Sequence, residues 1–314
     1  MTTSAIAVSG LRKAFGDKTV LDGIDLDVPA GTVFSLLGPN GAGKTTTVNV
    51  LSTLMKADAG TVRVAGHDVA TETKAVRAVV GVTGQFAAVD ELLTGQENLQ
   101  LMADLKRVGS GESRRVIMEL LERFDLAESA QKLGSAYSGG MCRKLDLAMT
   151  LVGNPQIIFL DEPTTGLDPR SRRTMWDIIR ELVADGVTIF LTTQYLEEAD
   201  RLADRIAVLN QGRLVAQGTP SDLKRQVPGS HVRLRFTSAL ELDAAARVLT
   251  GSTRVDEDLT LRVPSDGGVK SLRALRDRLD EFSINPEEFS VHTPDLDDVF
   301  LALTGHAPTE VNAQ

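Results

Sequence analysis

From residue 1 to about 222, short runs of apolar, β-branched residues alternate with longer stretches in which apolar positions recur every three or four residues. VFSLLG (33–38), VVGVTG (79–84), IIFLDE (157–162), VTIFLTT (187–193) and RIAVLN (205–210) are almost continuously apolar, the pattern of strands covered on both faces in a parallel sheet. AIAVSGLRKAF and VLDGIDLDV instead alternate apolar with polar, which predicts an antiparallel flank with one dry face. Between Gln85 and Tyr137 the period turns helical in ENLQLMADLKRV and SRRVIMELLERFDL, so a helical subdomain is expected at about 86–150, inserted between two core strands. The whole stretch reads as one α/β domain over 1–222.

After Pro220 the order changes. A strand (HVRLRF, 231–236), a helix (LELDAAARVL), two strands around DEDLTLRV, a helix (VKSLRALRDRLDEF) and a strand near FSVH follow one another. That β-α-β-β-α-β order predicts a small α+β domain of ferredoxin-like type over 223–314. The last amphipathic segment, DLDDVFLALTG, sets Val299, Phe300 and Leu303 on one helical face for docking on this domain or on a partner.

With 42% hydrophobic and 25% charged residues in 314, the composition is that of an ordinary globular protein with material for two domains. A net charge of -9 argues against a nucleic-acid partner, which would call for a basic stripe. The lone Cys142 cannot form an intrachain disulfide, so a reducing cytosol is expected. No stretch approaches 18 consecutive apolar residues, and the chain is not expected to span a membrane by itself.

GPNGAGKT (38–45) follows VFSLL directly and matches G-x-x-x-x-G-K-[ST] in full. Gly38, Gly41 and Gly43 let the backbone through Pro39, Asn40 and Ala42 turn its N–H groups inward, and the helix starting near Lys44 points its positive end at the same place. Lys44 would then reach the β- and γ-phosphates of ATP. The Thr45 hydroxyl would ligate Mg2+, with Thr46 beside it in the first helical turn.

A second strand ends in the acids Asp161 and Glu162. Beside a bound triphosphate they would be costly unless a cation compensated them, so Asp161 suits the magnesium shell and Glu162 the role of general base. Glu162 can equally be read as a surface acid before Pro163. Gln85, after the strand VVGVTG, offers a carboxamide to the metal or its water; a plain strand-end residue is the other reading. YSGGMCRKLDLA (137–148) opens a further helix with Ser138 as N-cap and Gly139 and Gly140 exposing backbone N–H groups, a second place built to meet an anion.

GPNGAGKT, Gln85, YSGGM, IIFLDEP and TGLDP occur together in this order, and the chain resembles the nucleotide-binding subunits of ABC transporters over residues 5 to about 222. The resemblance implies a P-loop NTPase fold: a parallel core sheet, an antiparallel β flank and a helical subdomain, here with the small α+β C-terminal domain. It implies that Ser138, Gly139 and Gly140 of one copy close on the γ-phosphate held by another copy's loop, with Leu167 and Asp168 at the interface. Gln85 would touch magnesium. Phe15, in RKAFG, matches the aromatic on which adenine stacks, its other reading being a buried core aromatic. Only one phosphate loop is present, so a homodimer with two composite ATP sites is expected.

VTGQFAAVDELLTGQENL, YSGGM, TTQYLEEADRLADRIAVLNQGRL and the terminal LDDVFLALTG are similar to the daunorubicin-resistance ATPases of actinomycete drug exporters. That implies a separate integral-membrane permease subunit, a peripheral position on the cytoplasmic face of the membrane, and an ATPase that drives drug efflux. An ABC-class ATPase acting on soluble partners would be expected to carry two cassettes or long coiled coils, a P-loop kinase would not need SGG, and a nucleotide-gated binding module would not need both Asp161 and Glu162.

Two places depart from the wider family. Met141 stands where most members have Gln, and Cys142 where the subfamily more often has Arg. Beside a helix N-terminus the Cys142 thiolate could be stabilised, which would make activity thiol-sensitive; a neutral substitution is the alternative. The strand VTIFLTT then leads to Gln194 where the wider family has a histidine contacting the γ-phosphate, and none of His67, His231, His292 and His306 is close in sequence to replace it. A carboxamide can donate to phosphate and accept from water but cannot take a proton, so Gln194 is expected to position, and Glu162 to act as the base. Taken by itself, Thr193 is open to a plainer reading, as a cap for the helix near Tyr195.

Overall fold

The computed structural model describes residues 4–226, 231–256, 258–265, 268–292 and 295–304. Along the chain the strands are β1 (Ser4–Phe15), β2 (Lys18–Pro29), β3 (Val33–Leu37), β4 (Ala59–Val64), β5 (His67–Asp68), β6 (Val80–Thr83), β7 (Ile157–Asp161), β8 (Thr188–Thr193), β9 (Arg205–Asn210), β10 (Arg213–Gly218), β11 (His231–Arg235), β12 (Thr253–Val255), β13 (Thr260–Pro264) and β14 (Glu288–His292). The helices are α1 (Lys44–Leu51), α2 (Thr73–Val79), α3 (Gly95–Leu105), α4 (Ser110–Arg123), α5 (Gly139–Leu151), α6 (Pro169–Ala184), α7 (Leu196–Leu202), α8 (Pro220–Gln226), α9 (Ala239–Val248), α10 (Val269–Glu281) and α11 (Leu296–Thr304). They form two compact units, Met1–Pro220 and Ser221–Gln314.

In the first unit the five apolar runs become β3, β6, β7, β8 and β9, parallel to one another in a six-stranded sheet of order β10-β9-β3-β8-β7-β6, with β10 antiparallel at one edge. Both faces are dry, and strand alternation assigns each side chain to one of them. Ile158, Leu160, Ile189 and Leu191 face the core shared with α3, α4, α5 and α6, whereas Phe34, Phe159 and Phe190 face the core shared with the flanking sheet. Phe34 and Phe190 stack at 5.5 Å, and Phe159 tilts onto Phe190 at 5.8 Å, a cluster that pins the register of three strands. Each such fully buried ring contributes about 1.5–3 kcal/mol of transfer free energy.

The flank is the antiparallel sheet β2-β1-β4-β5. The helical subdomain consists of α3, α4 and the start of α5; α3 begins with a reciprocal cap in which Glu97 N donates to Thr94 Oγ1 and Thr94 N donates to Glu97 Oε2.

The second unit is an antiparallel sheet of order β12-β13-β11-β14 with α9 and α10 in its connections. Only one face is apolar: Val232, Leu234 and Leu261 pack with Leu242, Ala245, Leu275 and Leu279, while Arg233 and Arg235 alternate outward into ion pairs with Asp258 and Glu287. In α11, Val299 and Phe300 are buried within the chain rather than presented as a free docking face, and the Leu303 side chain lies outside the described residues. His306 also lies outside them.

Candidate functional site

Parallel pairing aligns Leu37 of β3 with Thr193 of β8, and Asp161 of β7 with Thr192 of β8. The phosphate loop, the two acids and Gln194 therefore leave the sheet at one carboxyl edge, with β8 standing between β3 and β7.

The loop is fastened where it leaves the sheet, since Gly38 N donates to Thr193 O at 3.2 Å and Ala42 N to Pro39 O at 3.2 Å. Gly43 caps α1 in left-handed backbone at φ 112, which favours glycine. Gly38 is needed for space, because a Cβ there would come 2.3 Å from Leu209 O. Lys44 folds back over this turn: its Nζ donates to Gly38 O at 2.8 Å and Pro39 O at 3.2 Å, and lies 3.2 Å from Glu162 Oε1. Burial pulls the Lys44 pKa down while the charges of Glu162 and Asp161 push it back up. Asn40, Gly41 and Thr45 are exposed, and Thr46 is half-buried, so the mouth of the loop is open to a ligand.

Thr192 locks the acids. Its hydroxyl donates to Asp161 Oδ1 at 2.5 Å and accepts from Glu162 N at 3.1 Å, and its carbonyl also accepts from Glu162 N at 3.1 Å. Glu162 is buried and turns the chain at φ 50, and Thr165 Oγ1 donates to its Oε2 at 3.3 Å. This is not a surface acid. Gln194, one residue beyond Thr193, is half-buried at the phosphate-loop side of β7. Thr193 does not cap α7, whose N-cap is Tyr195 with no side-chain cap; its hydroxyl accepts from Tyr195 N at 2.9 Å in a local turn ahead of the helix.

Gln85 is less close. Three strand spacings separate β3 from β6, about 14 Å, and Gln85 is exposed beyond β6 on the far side of the acids. Phe15, at the end of β1, is 50% exposed and not a core aromatic, with the Lys13 ammonium 5.5 Å from its ring centroid. Thr45, Asp161 and Gln85 offer hydroxyl, carboxylate and carboxamide oxygens, a hard donor set that fits Mg2+. Among the described residues no three His, Cys, Asp or Glu side chains form a metal cluster, so such an ion would share its ligands with bound phosphate.

The Ser138 N-cap forms as expected. Ser138 caps α5 and accepts from Met141 N at 3.3 Å, and Ser138 and Gly139 are exposed. None of the hydrogen bonds described for these residues reaches the phosphate loop of the same chain; Gly140 instead approaches Ser171, which Asp168 holds at the start of α6. Hydrogen bonds from Ser171 keep the Asp168 carboxyl below its ordinary range.

At Cys142 the direction is opposite to that of a stabilised thiolate: burial, and then the charges of Glu91 and Asp146, push the thiol up.

Two residues of the same helix escape a reading by motif. Arg143 is buried and its guanidinium gathers four carbonyls: Gly84 O at 2.7 Å, Pro163 O at 2.9 Å, and Asp161 O and Glu162 O at 3.1 Å each. Asp146, 3.5 Å from Arg143, accepts from Ala88 N at 3.0 Å. Together they tie α5 to the strand ends at the acids and to the segment that carries Gln85. Their only sequence signal is charge on an otherwise apolar helix face.

The family model described as "ABC transporter" matches residues 21–165. The chain is similar to the daunorubicin resistance ATP-binding protein DrrA3 of Streptomyces coeruleorubidus, with 49% identity covering 97% of each chain. It is 48% identical to the daunorubicin/doxorubicin resistance ATP-binding protein DrrA of Streptomyces peucetius, covering 97% of this chain and 93% of that one. Among solved structures it resembles a dimeric ATP-binding cassette in a post-hydrolysis state bound to ADP and Pi, at 26% identity and TM-score 0.62, covering 68% of this chain and 98% of that one.

Proposed function

Because the chain belongs to the ABC transporter family as one of its ATP-binding, ATP-hydrolysing subunits, we propose that it powers export of a hydrophobic drug or antibiotic through a separate membrane permease. Two copies would pair so that Ser138, Gly139 and Gly140 of one cover the γ-phosphate held by the loop of the other. One observation carries this reading: the N-terminus of α5 is capped and exposed as an anion site, yet is not bonded to the phosphate loop of its own chain. A second copy would complete such a site by bringing a phosphate to it.

In the composite site Lys44 and the loop N–H groups would bind the β- and γ-phosphates, Phe15 would stack on adenine, and Asp168 would lie at the dimer interface with Leu167. Glu162 would take the proton of the attacking water while Gln194 orients that water against the γ-phosphate. Magnesium would be held by Thr45 and Asp161, and by Gln85 once the segment beyond β6 moves toward the nucleotide; bound there, it neutralises phosphate charge. No helix among the described residues is long and apolar enough to cross a membrane, so attachment to the cytoplasmic face would run through the permease. The daunorubicin and doxorubicin in the relatives' names supply the candidate cargo.

Purified chain should release phosphate from ATP with Mg2+, and Glu162→Gln should form a dimer in sizing experiments only when ATP is present. A Glu162→Gln protein that stays monomeric at saturating ATP would overturn the composite site. Inverted vesicles carrying the chain and its neighbouring permease should accumulate daunorubicin on ATP, and lose this with Lys44→Ala; accumulation indifferent to that change would overturn the export reading.

A further inference from the structure

Glu197 and Glu198 are adjacent acids in the first turn of α7, and they have opposite fates: Glu197 is exposed, while Glu198 is 0% exposed. A carboxylate taken wholly out of water needs a reason. Its Oε1 accepts from Thr164 Oγ1 at 2.8 Å and from Trp176 Nε1 at 3.0 Å, and its Oε2 is buried with no hydrogen-bond partner. The Thr193 hydroxyl also faces it and favours its charged form. Thr164 lies two residues after Glu162, and Thr193 is the residue before Gln194. One buried side chain thus bonds to the turn that carries the base and to Trp176 of α6, and lies beside Thr193, the residue before the positioning carboxamide.

The surroundings reinforce that placement. Arg172 of α6 sets its guanidinium 5.1 Å from the ring centroid of Tyr195, the residue after Gln194, and its positive charge favours ionised Glu198. Arg143 of α5 also feels the Glu198 charge. Burial opposes all of these and is the strongest influence, raising the Glu198 pKa. Thr192 already locks the strand ends themselves. Beyond them, where the turns begin, Glu198 is the shared contact.

We infer that Glu198 is a positioning residue that sets the spacing between Glu162 and Gln194, the two groups that would share the attacking water. Buried from the surface, it would act through the Thr164 and Thr193 turns. The inference rests on the assignment of Glu162 and Gln194 given above. Displacing one of two groups that must meet the same water costs transition-state stabilisation without weakening nucleotide binding, since the phosphate loop is held separately.

Steady-state ATP hydrolysis by the purified full chain tests this. Glu198→Ala should lower kcat by roughly 10- to 100-fold and move KM for ATP by less than about 3-fold. Glu198→Gln keeps an acceptor for Thr164 and Trp176 and should retain at least about half of kcat. In a Gln194→Ala background, Glu198→Ala should cost less than about 3-fold more, because no second group is left to be spaced. Where Glu198→Ala does not fold, Thr164→Val carries the test, with an expected fall of roughly 3- to 10-fold in kcat at constant KM. Wild-type kcat in Glu198→Ala or Thr164→Val, a loss confined to KM, a Glu198→Gln enzyme as slow as Glu198→Ala, or fully multiplicative losses in the double variant would each overturn the inference. Wild-type kcat in Gln194→Ala alone would instead overturn the underlying Gln194 assignment.

Discussion

The Lys44 ammonium lies 3.2 Å from the Glu162 carboxylate, with side chains only 4% and 8% exposed. The two charges therefore offset each other across this contact. Under the proposed roles, a triphosphate in the loop would compete for Lys44 and free Glu162 to act as the base. The neutral carboxamide of Glu162→Gln takes the nearer of two counter-charges from the buried ammonium and leaves Asp161, so that variant should unfold with about 1–3 kcal/mol less stability in the absence of nucleotide. Its thermal shift on adding ATP should exceed that of the wild type, because no ion pair has to be broken. Equal shifts in the two proteins would show that the pair does not compete with nucleotide.

Arg143 satisfies three buried carbonyls around the acids and the partly buried carbonyl of Gly84. Truncation to alanine strands them and leaves Asp146, whose pKa burial already raises, without its cation. The expected loss is about 3–5 kcal/mol, or roughly 6–20 °C in Tm. Arg143→Lys, with one ammonium in place of a planar fork, should recover only part of it. A melting temperature within a degree or two of wild type for Arg143→Ala would remove Arg143 from this role.

The raised Cys142 pKa gives a signed expectation for thiol chemistry. Only the thiolate alkylates, and raising the pKa lowers the thiolate fraction at every pH below it. Alkylation of Cys142 at neutral pH should accordingly be slower than that of a free cysteine, with its rate midpoint displaced to higher pH. ATPase activity should survive exposure to the reagent at neutral pH. Rapid modification near pH 7, followed by mass spectrometry, would contradict the burial of the thiol.

The contrast between Cys142 and Lys44 shows what a sequence can and cannot convey. The phosphate loop was legible because its chemistry is local: strand, glycine turn and helix end are contiguous, and Lys44 falls where that local geometry puts it. The core strands were legible for a related reason, since burial on both faces writes itself as an unbroken apolar run. For Cys142 the helix end is readable locally, but the burial that chiefly raises its thiol and the charge of Glu91 from another segment are not. Glu198 was unreadable beside Glu197, an identical residue in the same turn, because only the packing of α6 and the Thr164 turn distinguishes them. Gln85 was placed correctly at a strand end, but the number of strands between it and the phosphate loop is topology, which no local pattern encodes.

Gln194 removes a titration that an imidazole would bring. Gln194→Ala should lower turnover by roughly 10-fold or more, the order expected for one oriented transition-state donor. Gln194→His should restore part of that activity with a new dependence: below pH ~6.5 the ring gains a proton and can no longer accept from water, so the ratio of variant to wild-type kcat should fall on the acid side. A ratio that stays flat from pH 5.5 to 8.5 would show that residue 194 does not meet the reacting water.

Gly139 separates the effect of a side chain on this chain from its effect on a partner. A Cβ built at Gly139 meets nothing within 4 Å, whereas one at Gly140 would come 2.6 Å from Ser171 Oγ. Gly139 is the first residue of α5, and alanine there reduces the freedom of the unfolded chain without a clash in the folded one. Gly139→Ala should therefore leave thermal stability equal or slightly higher. The same methyl group would stand where a partner's γ-phosphate has to approach the helix N–H groups, so ATPase activity and the ATP-dependent dimer of the Glu162→Gln variant should both weaken. Gly140→Ala, by contrast, should lower stability within the monomer. Loss of activity without loss of stability at Gly139 is the signature of a site completed by a second copy, and full activity of Gly139→Ala would mean that nothing comes close to this helix end.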